Sequence, residues 1–258
     1  MENLIIDPQK EFLKISQFIK KIIKKTKMKK IIIGLSGGID STTSLFILWR
    51  TVPADDILTL QMPYQPNQEN EIIEDLLDRI KIPAKNRHLY TIKPISDFFK
   101  KQLNLKTNQE IDQLRLGNIM ARIRMIILFD LAKKNQALVC GTENKSEFLL
   151  GYFTRYGDQA SDLEIIRHLY KTQIYQLAHF LKVPQSIIKK EPSAGLWPNQ
   201  TDEKELGFNY QEADQVMYLY FEKKQSLRKI LQKGFKNAEK IISRCRKNQF
   251  KHLVPYHF

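Results

Sequence analysis

An α/β architecture, a parallel sheet flanked by helices, is predicted for this chain by three observations. Residues 30–35 form a run rich in β-branched side chains with no polar alternation, as in a strand buried on both faces. Further short strand-like runs alternate with stretches of helical periodicity, the order expected of a parallel sheet covered on both sides. A glycine turn, Ser36-Gly37-Gly38-Ile39-Asp40, joins the first strand directly to a helix. At 258 residues and 42% hydrophobic, the chain is long enough to bury a substantial core. It carries no internal repeat, low-complexity tract or linker, so one domain over 1–258 is expected.

The elements follow in order. Residues 8–25 read as an amphipathic helix whose wide apolar face holds Phe12, Leu13, Ile15, Phe18, Ile19, Ile22 and Ile23. The lysines of 20–30 form its solvated side. After the first strand, residues 41–49 are helical, with Leu45, Leu48 and Trp49 on one side. A second strand at 57–62 is closed by Pro63 and Pro66, and Asn67 caps a helix running to about residue 81, before Pro83. A third strand spans 88–92, and Pro94 starts a helix to about 103. Residues 104–113 are polar and loop-like. A long helix covers 117–134, with Ile119, Ile123, Ile126, Ile127 and Leu131 on its buried side. A fourth strand at 137–140 leads into a short helix at 143–150. A glycine-punctuated stretch then reaches a fifth strand candidate at 163–166. A helix at 171–181 stops at Val183-Pro184, residues 191–209 form a long loop, and residues 210–247 hold two or three helices.

The turn at 36–40 has the chemistry of a phosphate cradle. Its glycines let backbone approach a ligand with no Cβ in the way, and the helix start offers free N–H groups and a favourable dipole to an anion. It is not a GxxxxGK[ST] loop, because no lysine stands in the turn. Asp40 stands there instead. A carboxylate beside bound phosphate calls for a cation between them, and Mg²⁺ is inferred. The plain alternative is a βα turn with Ser and Asp as helix caps.

Ligands of parallel sheets sit at the carboxyl ends of the strands. Three polar clusters fall there: residues 141–147, residues 151–162, and residues 169–173. Each alone reads as a cap or a turn. Together their carboxylates, threonine and lysine complement a magnesium–triphosphate.

Composition narrows the setting. Lys plus Arg number 42 against 28 Asp plus Glu, a net charge of +14, which suits a polyanionic partner and equally a soluble basic protein. The two cysteines, Cys140 and Cys245, have no metal-binding spacing, so a reduced, cytoplasmic location is expected. No signal-peptide pattern and no apolar run of membrane-spanning length occurs, so no membrane partner is expected.

SGGxDS after a strand resembles the pyrophosphate loop of the N-type ATP pyrophosphatases, which split ATP between its α and β phosphates. Five segments carry a closer likeness: GLSGGIDS (34–41), GNIMARIRM (117–125), GTENKSEFLLGYFTRYGDQASD (141–162), LYKTQIYQLA (169–178) and PSAGLWPNQTDEKELGFNY (192–210). In that order, spread over most of the chain, they resemble the ammonia-dependent NAD synthetases. RCRKNQFKHLVP (244–255) is similar to that family's basic tail.

The resemblance implies a Rossmann-like fold of the adenine nucleotide alpha hydrolase type. It also implies a two-step reaction in which deamido-NAD attacks the α-phosphate of ATP and ammonia then displaces AMP from the acyl-adenylate, giving NAD⁺. By the same resemblance, Gly34, Ser36, Gly37, Gly38, Asp40, Ser41, Thr142, Lys171 and Ser193 contact ATP. Asp40 and Glu147 coordinate Mg²⁺. Arg122, Arg155, Asp162 and Lys251 bind deamido-NAD, and Asp40, Asp158 and Lys171 serve catalysis. Arg122 and Lys251 read without it as surface charges, and Trp197 as core or as a ring-stacking surface.

A homodimer is also implied, with helices 8–25 and 117–134 as the apolar surfaces on offer. No segment is available for a glutaminase domain, so free ammonia is the expected nitrogen donor.

The chain departs from the family near the implied acid pocket. Arg155 stands where Lys is usual, Leu163-Glu164-Ile165-Ile166 where a Pro is usual, Arg167-His168 for a small or acidic pair, and Phe250-Lys251-His252 for His-Lys-Arg. These leave nicotinate mononucleotide as an alternative acid. A tRNA-directed ATP pyrophosphatase is supported only by the net charge and lacks an appended RNA-binding module, so nucleic acid is not an expected partner. A non-catalytic nucleotide-binding protein would have no need of Asp40, Glu147 and Lys171 together.

Overall fold

The computed structural model describes residues 4–65, 68–193, 195 and 200–253. Asp7 opens α1 (Pro8–Thr26) by accepting from Lys10 N at 3.0 Å, and Lys27 ends it in the left-handed region. Its inner face is narrower than the sequence pattern, because Leu13 and Phe18 remain exposed. Strand β1 (Lys30–Gly34) leads into α2 (Ile39–Trp49). That helix starts two residues earlier than expected, which places Asp40 and Ser41 in its first turn. Every residue from Ser41 to Leu48 is buried.

Next come β2 (Ile57–Gln61) and α3 (Gln68–Arg79). The expected Asn67 cap lies outside the described residues. Strand β3 (Arg87–Leu89) is shorter than the 88–92 run. Pairing continues irregularly beyond it, Tyr90 N donating to Gln61 O and Ile92 N to Pro63 O, each at 3.0 Å. Helix α4 (Lys93–Gln102) precedes α5 (Glu110–Asn135). The long helix takes in 110–113, which read as loop. Glu110 and Asp112 sit in its first turn, where the dipole favours acid, and Asp112 also accepts from Lys106 N at 2.9 Å.

Strand β4 (Ala137–Gly141) is followed by α6 (Lys145–Leu150), which starts later than expected because Asn144 and Glu147 form a capping box. Strand β5 is only Leu163–Glu164. Helix α7 (Lys171–Leu181) has the expected bounds. Two short helices, α8 (Gln185–Ile188) and α9 (Asp202–Leu206), were not visible in the sequence, the second lying within the stretch read as a long loop. Three helices fill the C-terminal part: α10 (Tyr210–Met217), extended by a π turn, then α11 (Leu227–Gln232) and α12 (Ala238–Asn248), which runs into a 3₁₀ turn.

The sheet is wholly parallel with order β3-β2-β1-β4-β5. Alternation along β1 sends Ile31 and Ile33 into a core with α1, α2 and α7, and Ile32 into a second core with Leu58, Val139 and α5. A third cluster joins α10, α11 and α12 to Leu150 and Tyr170. The chain builds β2 and β3 on one side of β1, then returns to place β4 on the other. Between the carboxyl ends of β1 and β4 this reversal opens a crevice, the usual ligand position in such sheets.

Candidate active site

The β1–α2 turn lies on one lip of that crevice. Gly37 has φ +75°, a conformation that disfavours any side chain, while Gly38 is extended at φ −85° and caps the helix with no side-chain bond. Two hydroxyls brace the turn. Ser41 Oγ accepts from Ser36 N at 3.3 Å and lies 3.2 Å from Ser36 Oγ, which accepts from Gly38 N at 3.3 Å. Gly38, Ile39, Asp40 and Ser41 at the start of α2 line the crevice, and a helix start favours an anion.

The other lip is the β4–α6 connection. Asn144 caps α6 through Glu147 N at 3.0 Å and donates its amide to Asp40 Oδ1 at 2.9 Å, tying the two lips together. Lys171, the first residue of α7, reaches Asp40 Oδ2 at 2.5 Å and Glu147 Oε1 at 3.2 Å. One ammonium thus sits between two carboxylates drawn from two strand ends. Burial pulls the Lys171 pKa down, but Asp40, Glu147 and Asp202 more than reverse it and hold the lysine charged. Burial pushes Glu147 up to about 8 against the pull of Lys171.

Lys171 is itself fixed from behind. Its backbone N–H donates to Ser146 Oγ at 2.8 Å, and Ser146 Oγ donates to Asp214 Oδ1 at 2.5 Å. Asp214 also accepts from Thr172 N at 2.9 Å.

Asp40 and Glu147 are hard oxygen ligands that here share Lys171 Nζ. Among the described residues, no group of three or more His, Cys, Asp or Glu is arranged to hold a metal ion. Two carboxylates suit an ion that takes one or two from protein and the rest from phosphate and water, as Mg²⁺ does.

A cleft of about 1990 Å³ runs out from this centre. It brings together Gly34, Ser36, Gly38, Asp40, Ser41, Thr142, Glu147, Asp158, Lys171, Ser193 and Lys251. Asp158 accepts from Thr154 N at 2.9 Å, and Lys251 Nζ donates to the carbonyls of Gly151 at 2.6 Å and Phe153 at 3.0 Å.

Four expected site residues do not line the cleft. Gly37 is buried and borders a small separate pocket with Ile72, Ile73 and Ser186. Arg122 is exposed on the outer side of α5. Arg155 lies over the Phe250 ring, 5.1 Å from its centroid. Asp162 accepts from Val139 N at 2.7 Å, holding the chain against β4. Trp197 lies outside the described residues.

The cleft also holds residues that the sequence reading passed over. Arg124, not Arg122, lines the cleft with Met120 and Ala121, on the stripe of α5 that also buries Gly117. It donates Nε to Met62 O at 3.0 Å, and burial lowers its pKa to about 10 against Asp158. Helical phase could have revealed it, since 117, 120, 121 and 124 share a face and 122 does not. Asp202 is buried at the cleft wall and accepts from Tyr210 Oη at 3.0 Å. Lys240, Arg244 and Lys247 of α12 border the cleft as well.

The family departures fit one another. Arg167 stacks 4.1 Å from the Phe148 centroid and pairs with buried Glu143, Nε to Oε2, at 3.4 Å. His252 stacks on the same Phe148 ring, 4.0 Å away, and bonds to Phe148 O at 2.7 Å. Glu164 accepts from Ser161 Oγ at 2.7 Å and covers Gly141, where a Cβ would sit 1.9 Å from Oε1. His168 meets Glu11 at 2.8 Å. The substitutions form side-chain contacts behind the cleft and leave the Asp40–Lys171–Glu147 centre untouched.

Comparison with known proteins agrees with this geometry. A family model described as NAD synthase matches residues 11–255. The chain is 38% identical to the NH₃-dependent NAD⁺ synthetase of Fusobacterium nucleatum over 263 residues, covering 99% of this chain and 97% of that one. It is also 38% identical to the enzyme of that name from Thermococcus sibiricus, covering 97% of each.

Among solved structures, the NH₃-dependent NAD synthetase of Campylobacter jejuni, in complex with nitrate, superposes with a TM-score of 0.81 at 31% identity. It is covered over 100% of its length by 98% of this chain. The NMN synthetase of Francisella tularensis superposes with a TM-score of 0.82 at 29% identity, with 98% of this chain and 99% of that one covered.

Proposed function

The chain belongs to the NAD synthase family, and from that premise we propose how its cleft performs the family reaction. The enzyme amidates deamido-NAD with ammonia at the expense of ATP, through an acyl-adenylate, releasing NAD⁺, AMP and pyrophosphate. One observation carries the assignment of roles: Asp40, Glu147 and Lys171 converge beside the glycine–serine turn at the β1/β4 crevice.

A carboxylate is a poor electrophile, so the acid must be activated before nitrogen can displace oxygen. In-line attack on phosphorus needs positioning and charge neutralisation more than a nucleophilic side chain. Gly34, Ser36, Gly38 and Ser41 cradle the ATP phosphates, with Gly37 shaping the turn from behind. Thr142 and Ser193 complete the wall. Asp40 and Glu147 hold Mg²⁺, which when bound neutralises phosphate charge. Lys171 holds the β and γ phosphates as the bond between the α-phosphorus and its bridging oxygen breaks. The oxygen of the acid takes that place on the α-phosphorus. Ammonia then attacks the acyl carbon, the acyl C–O bond breaks, AMP departs with its electron pair, and the nitrogen gives up one proton to solvent. Asp158, open to the cleft, and Lys251 face the acid. Arg122, Arg155 and Asp162 are assigned to the dinucleotide by resemblance alone, since none of them lines the cleft of one chain.

Incubation with ATP, Mg²⁺ and ammonia tests the reading, with deamido-NAD and nicotinate mononucleotide as alternative acids. AMP release dependent on deamido-NAD is expected. Release dependent only on the mononucleotide would transfer the chemistry to that acid, a reading favoured by the likeness to the Francisella tularensis structure.

Ile95, Phe98, Leu103, Ile111, Leu114 and Ile126 are exposed on α4 and α5. The α1 stripe is largely spent on the core, so a homodimer packs through α4 and α5 in this reading. Sedimentation should give a dimer that Ile126→Asp converts to monomer; a monomeric parent would refute it. The chain works as one unit in the cytoplasm. Supporting this, Cys140 and Cys245 are free and buried, and no helix among the described residues is long and apolar enough to cross a membrane. A cysteine-labelling assay on intact cells would check it, a disulfide-linked form counting against.

A further inference from the structure

We infer that the cleft-facing side of α12 is a second anion site, centred on Arg244, for the linked phosphates of the acid substrate. The inference rests on the function proposed above and makes the site read a dinucleotide in preference to a mononucleotide.

Helix α12 has two faces. Ala238, Ile241, Ile242 and Cys245 are buried in the C-terminal core. Lys240, Arg244 and Lys247, with Lys251 just beyond, line the cleft. Their spacing of four, three and four residues keeps them on one side, over about 16 Å at a rise of 1.5 Å per residue.

These cations lack what Lys171 and Lys145 have, a carboxylate within ion-pair distance. Among the described residues, none of the four along α12 forms such a pair. Lys240 Nζ reaches the carbonyl of Gly207, at 3.4 Å, and the Phe208 ring, and Lys251 reaches the carbonyls of Gly151 and Phe153 and the Phe153 ring, contacts that leave both charges unneutralised. Arg244 lies against the Tyr152 ring, 5.7 Å from its centroid, and its Nε is buried with no hydrogen-bond partner. A buried donor on a charged group left unbonded costs free energy that an arriving acceptor removes. A guanidinium fixed on an aromatic face presents a planar fork suited to phosphate. Glu205, an acid of the same cleft, is already taken by Tyr152 Oη at 2.9 Å and Gln200 Nε2 at 3.0 Å.

Location assigns the ligand. The ATP phosphates have their own donors in the β1–α2 turn and at Lys171, which meets Glu147 near the start of α6. The α12 stripe lies at the other end of that helix, where Asn248 Nδ2 binds Leu150 O at 3.0 Å. An acid whose carboxylate reaches the first centre must lay the rest of itself along the cleft. Two adjacent phosphates engage both the fork of Arg244 and its flanking lysines, and a single phosphate engages one partner.

Titration calorimetry of the full chain with deamido-NAD and with nicotinate mononucleotide, beside the KM for ATP, tests this. Arg244→Gln should weaken deamido-NAD binding about tenfold or more and the mononucleotide less, as loss of one charge-assisted contact implies. Arg244→Lys should recover part of that, and the KM for ATP should stay within about twofold. Lys247 is exposed, so Lys247→Ala keeps the fold and should weaken dinucleotide binding about threefold, more at low salt. Unchanged dinucleotide binding in both variants, or an equal loss for the mononucleotide or for ATP, would overturn the proposal. Because the calorimetry needs no turnover, a parent that binds deamido-NAD but releases no AMP would refute the reaction and leave the α12 site standing.

Discussion

Asp40 has one oxygen on the Asn144 amide and the other on Lys171, so its carboxylate is oriented before any ligand arrives. Asp40→Asn keeps the shape and the bond to Asn144 by its own carbonyl, but presents an amide where a cation and an ammonium need an anion. Turnover should fall to background while the thermal midpoint shifts by no more than a few degrees; near-parental rates would remove Asp40 from the metal role. Glu143 makes a separate case. Burial raises its pKa from 4.5 to about 9 despite Arg167, so the folded protein keeps it protonated at neutral pH. The unfolded chain releases that proton near pH 4.5. Stability from this group is therefore complete below about pH 4.5 and declines as pH rises toward 9. Glu143→Gln lacks the ionisation. It should match the parent near pH 4.5 and exceed it by a few kcal/mol near pH 9; parallel stability curves would show that Glu143 is ionised in the fold.

The β1–α2 turn shows why single elements differ in how plainly they are written. Its two glycines do unlike things. Gly37 needs its positive φ, so Gly37→Ala should cost about 1–2 kcal/mol in chemical denaturation. Gly38 has an ordinary φ, and a Cβ there would come 3.3 Å from Ser36 Oγ. Gly38→Ala should spare stability and raise the KM for ATP; the opposite pattern would mean the two roles are exchanged. This turn was legible because chemistry, not packing, dictates its residues. Helix α7 was legible because apolar spacing and Val183-Pro184 bound it. The start of α5 was not, since 110–113 are polar and are held by a tertiary bond, Asp112 to Lys106 N. Helix α9 hides in a polar stretch, fixed by Thr201 as cap and by Asp202 bonding to Tyr210. Arg124 was missed because helical phase was not applied: it lies on the inner stripe of α5, whereas Arg122, carried over by likeness to the family, stands on the outer side.

At the scale of the whole molecule, the sheet with its two cores and the C-terminal helical layer meet where Lys171 is anchored. Strand order and the crevice between β1 and β4 were within reach of the sequence, as alternating strands and helices leave few topologies. The docking of the helical layer was not, because its key residue is an aspartate in an unremarkable helix. Asp214 of α10 is fully buried and receives Ser146 Oγ from α6 and Thr172 N from α7. Directions are fixed throughout. Ser146 accepts from Lys171 N, so its own hydrogen must go to Asp214, and both of the oxygens of Asp214 must accept. Asn at 214 has one oxygen and one amide nitrogen, so one of the two donors meets another donor. Asp214→Asn should therefore cost about 1–3 kcal/mol and lower kcat by loosening the starts of α6 and α7, with the KM for ATP less affected. Ser146→Ala breaks the same chain at its middle. If the three groups act as one relay, the double variant should lose less stability than the two single losses added together. Strict additivity would mean that the helical layer and Lys171 are held independently, with Lys171 positioned by its carboxylates alone.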